Sequence, residues 1–433
     1  MQFYSLNNHS WKASFEEATI TGQAPDKGLY FPTVVPKLPP EFISQIRQYS
    51  NEEIAFTVIQ PYVKDSLPKK ELIEIISSTL NFGFPLVKVD EEIFSLELFH
   101  GPTLAFKDVG ARFMSLCLGY FVRNKNRKTI VLVATSGDTG GAVAQGFLDV
   151  EGIEVLILFP SGKVSKVQES QLTTNSKNIS AIEINGTFDD CQNLVKQAFA
   201  DHELNQHVFL TSANSINVAR WLPQQFYYFF AFRQWKDTKS LPVISVPSGN
   251  FGNICAGLLA HCSGLPVKHF IAACNANDVI PAYLQTGKYL PKKAVQTLSN
   301  AMDVGNPSNF ARILELFNQQ FDSLKKVLSA YSISNEETIQ TIKSVYAEKQ
   351  YLMDPHGAVA YLALAKYLNE HEDKYGIFLE TAHPVKFYNT METIIENKIP
   401  IPTAVQSLMA KEKHSLKMDI KYDDFRVLLM SKA

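Results

Sequence analysis

Cysteine is scarce in this chain. Five residues among 433 (Cys117, Cys191, Cys255, Cys262, Cys274) are odd in number and lack C-x-x-C spacing. That argues against a disulfide framework and for a reducing, cytoplasmic setting. Cys255, His261, Cys262, His269 and Cys274 lie close together in sequence, but their spacings match no zinc pattern and they sit in apolar stretches. Buried thiols, not a metal site, are expected there. Charge of one sign is equally lacking: 41 basic residues face 43 acidic ones, for a net of −2, with no run of like charges. Neither nucleic acid nor a membrane surface is an expected partner, so cations serving an anionic ligand must be local. No apolar run approaches the ~20 residues of a membrane span. The opening M-Q-F-Y-S-L-N-N-H-S-W has no basic leader before an apolar segment, and no secretory signal is expected. The aromatic run Phe226 to Phe232 is one or two helical turns long, which suits core packing. Two phosphate-binding signatures are also missing: the Walker spacing G-x-x-x-x-G-K-[ST], and G-x-G-x-x-G in the first glycine-rich loop.

The chain is long enough for about two or three domains. The first ~90 residues read as a mostly helical module, with prolines 32, 36, 39 and 40 in its connections. Ser50 followed by Glu53, and Ser66 followed by Pro68, mark two helix starts. From residue 129 the pattern changes to β-branched runs, each followed by a polar or glycine-rich loop and a helical period. Expected strands are 129–134, 153–159, 179–184, 208–210, 242–247, 267–273 and 376–380. Helices are expected over 308–331 and 335–351, the second opened by Ser334 and Glu337, and a long helix ends near Trp235. Continuous apolar strands alternating with helices predict parallel sheets covered on both faces. Ligands of such sheets sit at the carboxyl ends of the strands, where these loops begin. The expected division is a helical module over 1–95, a smaller α/β domain over 129–235, and a larger one from 96–128 with 236–433.

Three loops have the makings of an anion site at a helix start. Thr135-Ser136-Gly137-Asp138-Thr139-Gly140-Gly141 combines hydroxyls with three glycines, and Ser248-Gly249-Asn250-Phe251-Gly252-Asn253 follows a buried strand. Ser161-Gly162-Lys163-Val164-Ser165 adds a cation. Any one of them is as well explained as an ordinary βα turn; three together favour a multiply anionic ligand. The segment H-G-P-T-L-A-F-K-D, residues 100 to 108, places Lys107 after an apolar stretch. A lysine there is usually solvated, but a partly buried amine can lose proton affinity and attack an aldehyde.

L-F-H-G-P-T-L-A-F-K-D resembles the cofactor-lysine motif of threonine synthases. A-T-S-G-D-T-G, S-A-N-S-I-N, V-P-S-G-N-F-G-N, L-S-N-A-M-D-V-G-N-P-S-N and E-T-A-H-P-V-K-F follow in the family's order, and G-L-Y-F-P at 28 to 32 is similar too. The resemblance runs from residue 1 to about 397 and leaves the final ~35 residues unmatched.

The resemblance implies an α/β protein of the fold-type II pyridoxal-phosphate class (tryptophan synthase β-like), with two parallel-sheet domains and the helical module. Lys107 would carry pyridoxal 5'-phosphate as a Schiff base, and Ser248, Gly249, Asn250, Phe251, Gly252 and Asn253 would hold its phosphate. Thr381 would meet the pyridine nitrogen, where a hydroxyl leaves the ring less firmly protonated than a carboxylate would. Asp138 stands where many relatives of the fold have Asn beside the phenolic oxygen, which leaves open a shared proton or a displaced side chain. Thr135, Ser136 and Thr139 would receive the substrate carboxylate. The implied reaction takes O-phospho-L-homoserine and water to L-threonine and phosphate. Candidates for the cradle of the leaving phosphate are Lys163, Arg112, Arg220 and the loop residues Asn214, Ser215 and Asn217. A structural salt bridge explains either arginine as well; His100, Asp108, His356 and His383 sit in family-like motifs, and core hydrogen bonding explains them about as well. A phospholyase releasing a keto acid, a serine or threonine dehydratase, and a non-catalytic protein that kept the fold are the alternatives. A monomer or homodimer is expected.

Overall fold

The computed structural model describes residues 1–123, 128–175, 177–236 and 240–432. Three sheets organise it. Val243–Pro247 lies inside a six-stranded sheet, in the order Leu328–Ser332, His269–Cys274, Val243–Pro247, Gly376–Glu380, Ile93–Glu97, Leu86–Lys88. All its neighbouring strands are parallel except the antiparallel edge strand Leu86–Lys88. A second, wholly parallel sheet runs in the order Leu416–Met418, Ile179–Ile184, Ile153–Pro160, Thr129–Ala134, Phe209–Ser212. Thr129–Ala134 and Val243–Pro247 are buried at every position, as expected of strands covered by helices on both faces. The third sheet is a small antiparallel one in the amino-terminal region, Lys12–Ser14, Gln2–Ser5 and Tyr30–Pro32. The rest of that region is mostly helical.

Helix starts follow their caps. Ser50 and Glu53 form a reciprocal capping box before Asn51–Val63, and Ser334 with Glu337 does the same before Asn335–Lys349. Ser66 departs from expectation: Pro68 stands at the cap of Lys69–Thr79, and the Ser66 hydroxyl accepts instead from the Glu16 amide.

Three other expectations are corrected. The single helix over 308–331 is two short ones, Phe310–Leu316 and Phe321–Lys325, followed by the strand Leu328–Ser332. Asn318 and Gln319 at φ 51° and 59° end the first helix, and parallel pairing with His269–Cys274 claims the strand. The long helix toward Trp235 is interrupted at Leu222–Gln224, where Pro223 cannot donate to the helical ladder. Residues 236–433 are not one unit with the larger sheet. Leu416–Met418 pairs with Ile179–Ile184, and Phe425 and Leu429 of the last helix pack against Leu194 and Ala198 in the other core. Conversely, the larger sheet recruits Leu86–Lys88, within the stretch assigned to the helical module.

No helix among the described residues is long and apolar enough to cross a membrane.

Candidate active site

Lys107 opens a 16-residue helix, Lys107–Val122, and is brought to the large sheet by the segment before it. Ala105 bridges antiparallel to Ala382, the Phe106 amide donates to the Thr381 carbonyl at 2.9 Å, and the His383 amide donates to Leu104. Lys107 is thereby pinned beside the carboxyl end of the strand Gly376–Glu380. The turn itself is closed by Asp108, whose buried carboxylate accepts from the Thr103 amide (2.9 Å) and hydroxyl (2.5 Å). Only 18% of the Lys107 side chain is exposed. Burial lowers its proton affinity, the Asp138 carboxylate pulls the other way, and the charges of Lys386 and Arg220 add to the lowering.

Asp138 is the hub of the cluster. Its Oδ2 lies 3.4 Å from Lys107 Nζ, and its Oδ1 lies 2.7 Å from Lys386 Nζ and 2.9 Å from Gln168 Nε2. Burial opposes ionisation of Asp138, yet the two lysine charges outweigh it and hold the carboxyl well below the usual carboxylate range. Lys386 is fully buried and also donates to the Thr103 carbonyl at 2.8 Å. In so enclosed a cluster, loss of Asp138 leaves the Lys386 charge uncompensated, at a cost of about 3–5 kcal/mol.

The loop around Asp138 is held from within. Thr135 Oγ1 accepts from the amides of Gly137 and Gly140, both at 2.9 Å, and Gly137 sits at φ 136°. Ser136 and Thr139 remain partly exposed.

The loop Ser248–Asn253 lies at the end of the neighbouring strand. No side chain caps the helix Gly252–Cys262 that it opens, and Phe251 adopts φ 62° to turn the chain into it. A Cβ on Gly249 would stand 2.7 Å from Met302 Cα and 2.8 Å from the Ala301 carbonyl oxygen, so glycine alone fits without displacing backbone. Ser248 Oγ donates to the Val246 carbonyl, and Asn253 Nδ2 to that of Pro247. Asn250 donates to Ser215 Oγ at 2.6 Å and accepts from the Ser308 amide. Aromatic hydroxyls tie this loop to the lysine: Tyr227 donates to the Phe106 carbonyl, and its neighbour Tyr228 donates to the Asn253 carbonyl at 2.7 Å. The aromatic run is core, as expected, with its two phenols serving as tethers.

Arg220 is 4% exposed, and its Nε and Nη1 are buried without a partner. It packs beside Gly110, one turn along the helix from Lys107, where a Cβ would come within 3.4 Å of its Nε. Burial pushes its guanidinium down to about 10, so it is still charged at neutral pH. The Asp108 carboxylate acts on it electrostatically, but Nε and Nη1 have no hydrogen-bond partner, and a buried cation so under-satisfied is costly unless an anion joins it.

The other cradle candidates are tied to neighbours of their own. Arg112 turns to the Ser78 carbonyl and lies over the Phe82 ring. Lys163 is exposed, and its charge acts on Asp190 and Cys191. The Asn217 side chain caps Val218–Trp221 and donates to the Thr19 carbonyl, so it serves the fold. Ser215 is the acceptor for Asn250, and the Asn214 amide donates to Ser212 Oγ. His100, His356 and His383 have polar partners within the fold: Glu97, Asp354 with the Ala301 amide, and the Val385 amide.

Sequence reasoning missed Lys386 and Gln168. Lys386 lies inside E-T-A-H-P-V-K-F, five residues after Thr381, where a lysine among apolar neighbours just past a strand end was the available signal. Gln168 is hidden as the third helical residue of a capping box with Ser165.

Comparison with known proteins gives the family. Residues 80–379 match the family described as pyridoxal-phosphate dependent enzyme. Residues 2–80 match the threonine synthase N terminus, and 357–426 the threonine synthase C-terminal region. The family match therefore extends past residue 397 and takes in the strand Leu416–Met418. The chain is 44% identical to the threonine synthase of Haemophilus influenzae, over 99% of this chain and 100% of that one. Its fold is similar to the crystal structure of threonine synthase from Escherichia coli, at TM-score 0.93 and 40% identity with both chains fully covered. It is likewise similar to a pyridoxal-phosphate-bound threonine synthase from Brucella melitensis, at TM-score 0.93 and 32% identity, covering 100% of this chain and 99% of the other. The chain belongs to the threonine synthase family of fold-type II pyridoxal-phosphate enzymes.

Proposed function

We propose that this protein converts O-phospho-L-homoserine and water into L-threonine and phosphate, acting as a monomer or homodimer in the cytoplasm. Its residues fit pyridoxal 5'-phosphate: a buried amine of lowered proton affinity, an uncapped helix start behind a glycine that admits no Cβ, and a hydroxyl at a strand end. Lys107 is the attachment point, Ser248 to Asn253 receive the cofactor phosphate through backbone amides, and Thr381 meets the ring nitrogen. The bound cofactor supplies an electron sink for charge developing at Cα and Cβ of the amino acid. Ser136 and Thr139 take the substrate carboxylate, with Thr135 shaping the loop that presents them. Lys107 Nζ, freed when substrate arrives, carries protons between Cα and Cβ. Its low proton affinity suits that task, since an amine locked in its charged form accepts nothing.

Arg220 carries the reading as regards substrate. A buried guanidinium with two partnerless nitrogens beside Lys107 calls for an anion beyond the cofactor's own phosphate, and the γ-phosphate of a substrate held at Lys107 is such an anion. The test is a product assay with O-phospho-L-homoserine on the wild type and on Arg220→Met. Threonine and phosphate in equal amounts are expected from the wild type, with kcat/KM at least about 100-fold lower in the variant, as for loss of a charged transition-state contact worth ~3 kcal/mol. Phosphate with 2-oxobutyrate and no threonine would identify a phospholyase instead. An Arg220→Met enzyme of unchanged kcat/KM would remove arginine from the substrate site.

A further inference from the structure

Asp138 presents a difficulty that its neighbours resolve. A carboxylate 3.4 Å from the Lys107 amine, in a site sheltered from water, stabilises the ammonium form of a group that has to act as a free amine. Lys386 answers that charge at closer range, 2.7 Å from Oδ1. It is fully buried and held by the Thr103 carbonyl, so it cannot swing away to water. Gln168 Nε2, at 2.9 Å, completes the coordination of Oδ1.

We propose that Lys386 is a positioning residue for the reaction, which acts through Asp138 by neutralising its charge and fixing its direction, so that the Lys107 amine is released from its proton at working pH. The proposal rests on the reading of Lys107 as the cofactor's attachment point. The charged groups near Lys107 among the described residues belong to this account. From its own helix comes Asp108, committed to Thr103; from the helix starting at Asp138, that carboxylate; from the segment after Thr381, Lys386; and from Val218–Trp221, Arg220. Lys386 also faces Asp108 and His383, which feel its charge. Of these groups, only Asp138 raises the proton affinity of Lys107, and Lys386 is the cation nearest to Asp138.

Opposite signs are expected for the two partners. In Lys386→Met the carboxylate of Asp138 is left to Lys107 alone, so protons are held to higher pH. In Asp138→Asn the Lys386 charge is uncompensated, and protons are released at lower pH. The readout is the midpoint of the pH-dependent visible absorption of the bound cofactor, measured without substrate. Lys386→Met should raise that midpoint by at least about one unit and move the acid limb of kcat/KM in the same direction, in keeping with close charge pairs. Asp138→Asn should lower it, Lys386→Arg should restore it, and Lys386→Met with Asp138→Asn should return close to the wild type. If Lys386→Met does not fold, Asp138→Asn and Lys386→Arg decide alone: a midpoint unmoved by Asp138→Asn overturns the proposal. So does Lys386→Met that binds cofactor and loses activity with its midpoint in place. Borohydride reduction followed by peptide mapping tests the underlying reading separately, because a tag on any residue but Lys107 defeats that reading whatever the titrations give.

Discussion

The loops Thr135–Gly141 and Ser248–Asn253 are both rich in glycine and small polar residues, and both lead from a buried parallel strand into a helix, yet they are made rigid in different ways. The first is held by its own side chain, with one hydroxyl of Thr135 accepting two backbone amides. The second is held by its surroundings: Ser215 and Ser308 on Asn250, Tyr228 on Asn253, and the backbone of Ala301 and Met302 pressed against Gly249. Composition announces an anion site in both cases. Whether a loop is set locally or by tertiary contact decides what a mutation does to it.

The sharpest way to break that comparison is Thr135→Val, which keeps the shape and removes the acceptor. Two enclosed amides lose their partner at about 1–3 kcal/mol each, so a stability loss of about 2–6 kcal/mol is expected. Because the bonds are internal to the loop, the fall in thermal midpoint should be the same with and without pyridoxal phosphate. Equal midpoints for variant and wild type would show that the hydroxyl is dispensable.

Gly249→Ala should behave differently. Its new methyl meets backbone, and that backbone is not free to retreat, since the Ala301 amide is held by Nε2 of the buried His356, itself paired with Asp354. The loop must move instead, and the loss should appear as cofactor affinity: about 10- to 100-fold weaker binding, or about 1.4–2.8 kcal/mol. Titration of apoenzyme with pyridoxal phosphate measures it. Affinity within twofold of wild type would mean that the close approach to Met302 is incidental.

Much of this arrangement was legible in the chain. Thr129–Ala134, Ile179–Ile184 and Gly376–Glu380 were read to the residue, because an apolar β-branched run ended by a polar loop has few other uses. Leu328–Ser332 was not: L-S-A-Y-S is no stronger as a strand than as a helix turn, and only the free edge of His269–Cys274 makes it one. Leu416–Met418 was hidden likewise, since its partner Ile179–Ile184 lies in the other sheet. In the site, Lys107 and the two loops are local features that a sequence displays. Lys386 and Gln168 matter through what they face, and no spacing records that each would meet Asp138. Asn217 misled in the opposite direction, since a polar residue in a polar loop is as readily a cap as a ligand.

The third loop, Ser161–Ser165, extends the comparison to a case in which composition promised an anion site that the fold does not assemble. Ser161 Oγ donates to Glu183, Ser165 caps Lys166–Thr173, and Gly162, at φ 67°, has nothing within 4 Å of the place a Cβ would take. Lys163 between them is exposed, with its charge felt by Asp190 and Cys191. Exposed charges are strongly screened by salt, and a surface substitution of this kind alters stability by less than about 0.5 kcal/mol. Lys163→Ala should therefore leave kcat/KM for O-phospho-L-homoserine within about twofold of wild type, where loss of Arg220 is expected to cost about 100-fold. The two variants assayed side by side at low and at physiological ionic strength separate steering from contact. A drop for Lys163→Ala that vanishes with salt would assign it long-range attraction of the substrate. A salt-independent drop as large as that of Arg220→Met would mean that the smaller sheet's loop closes onto the phosphate during turnover.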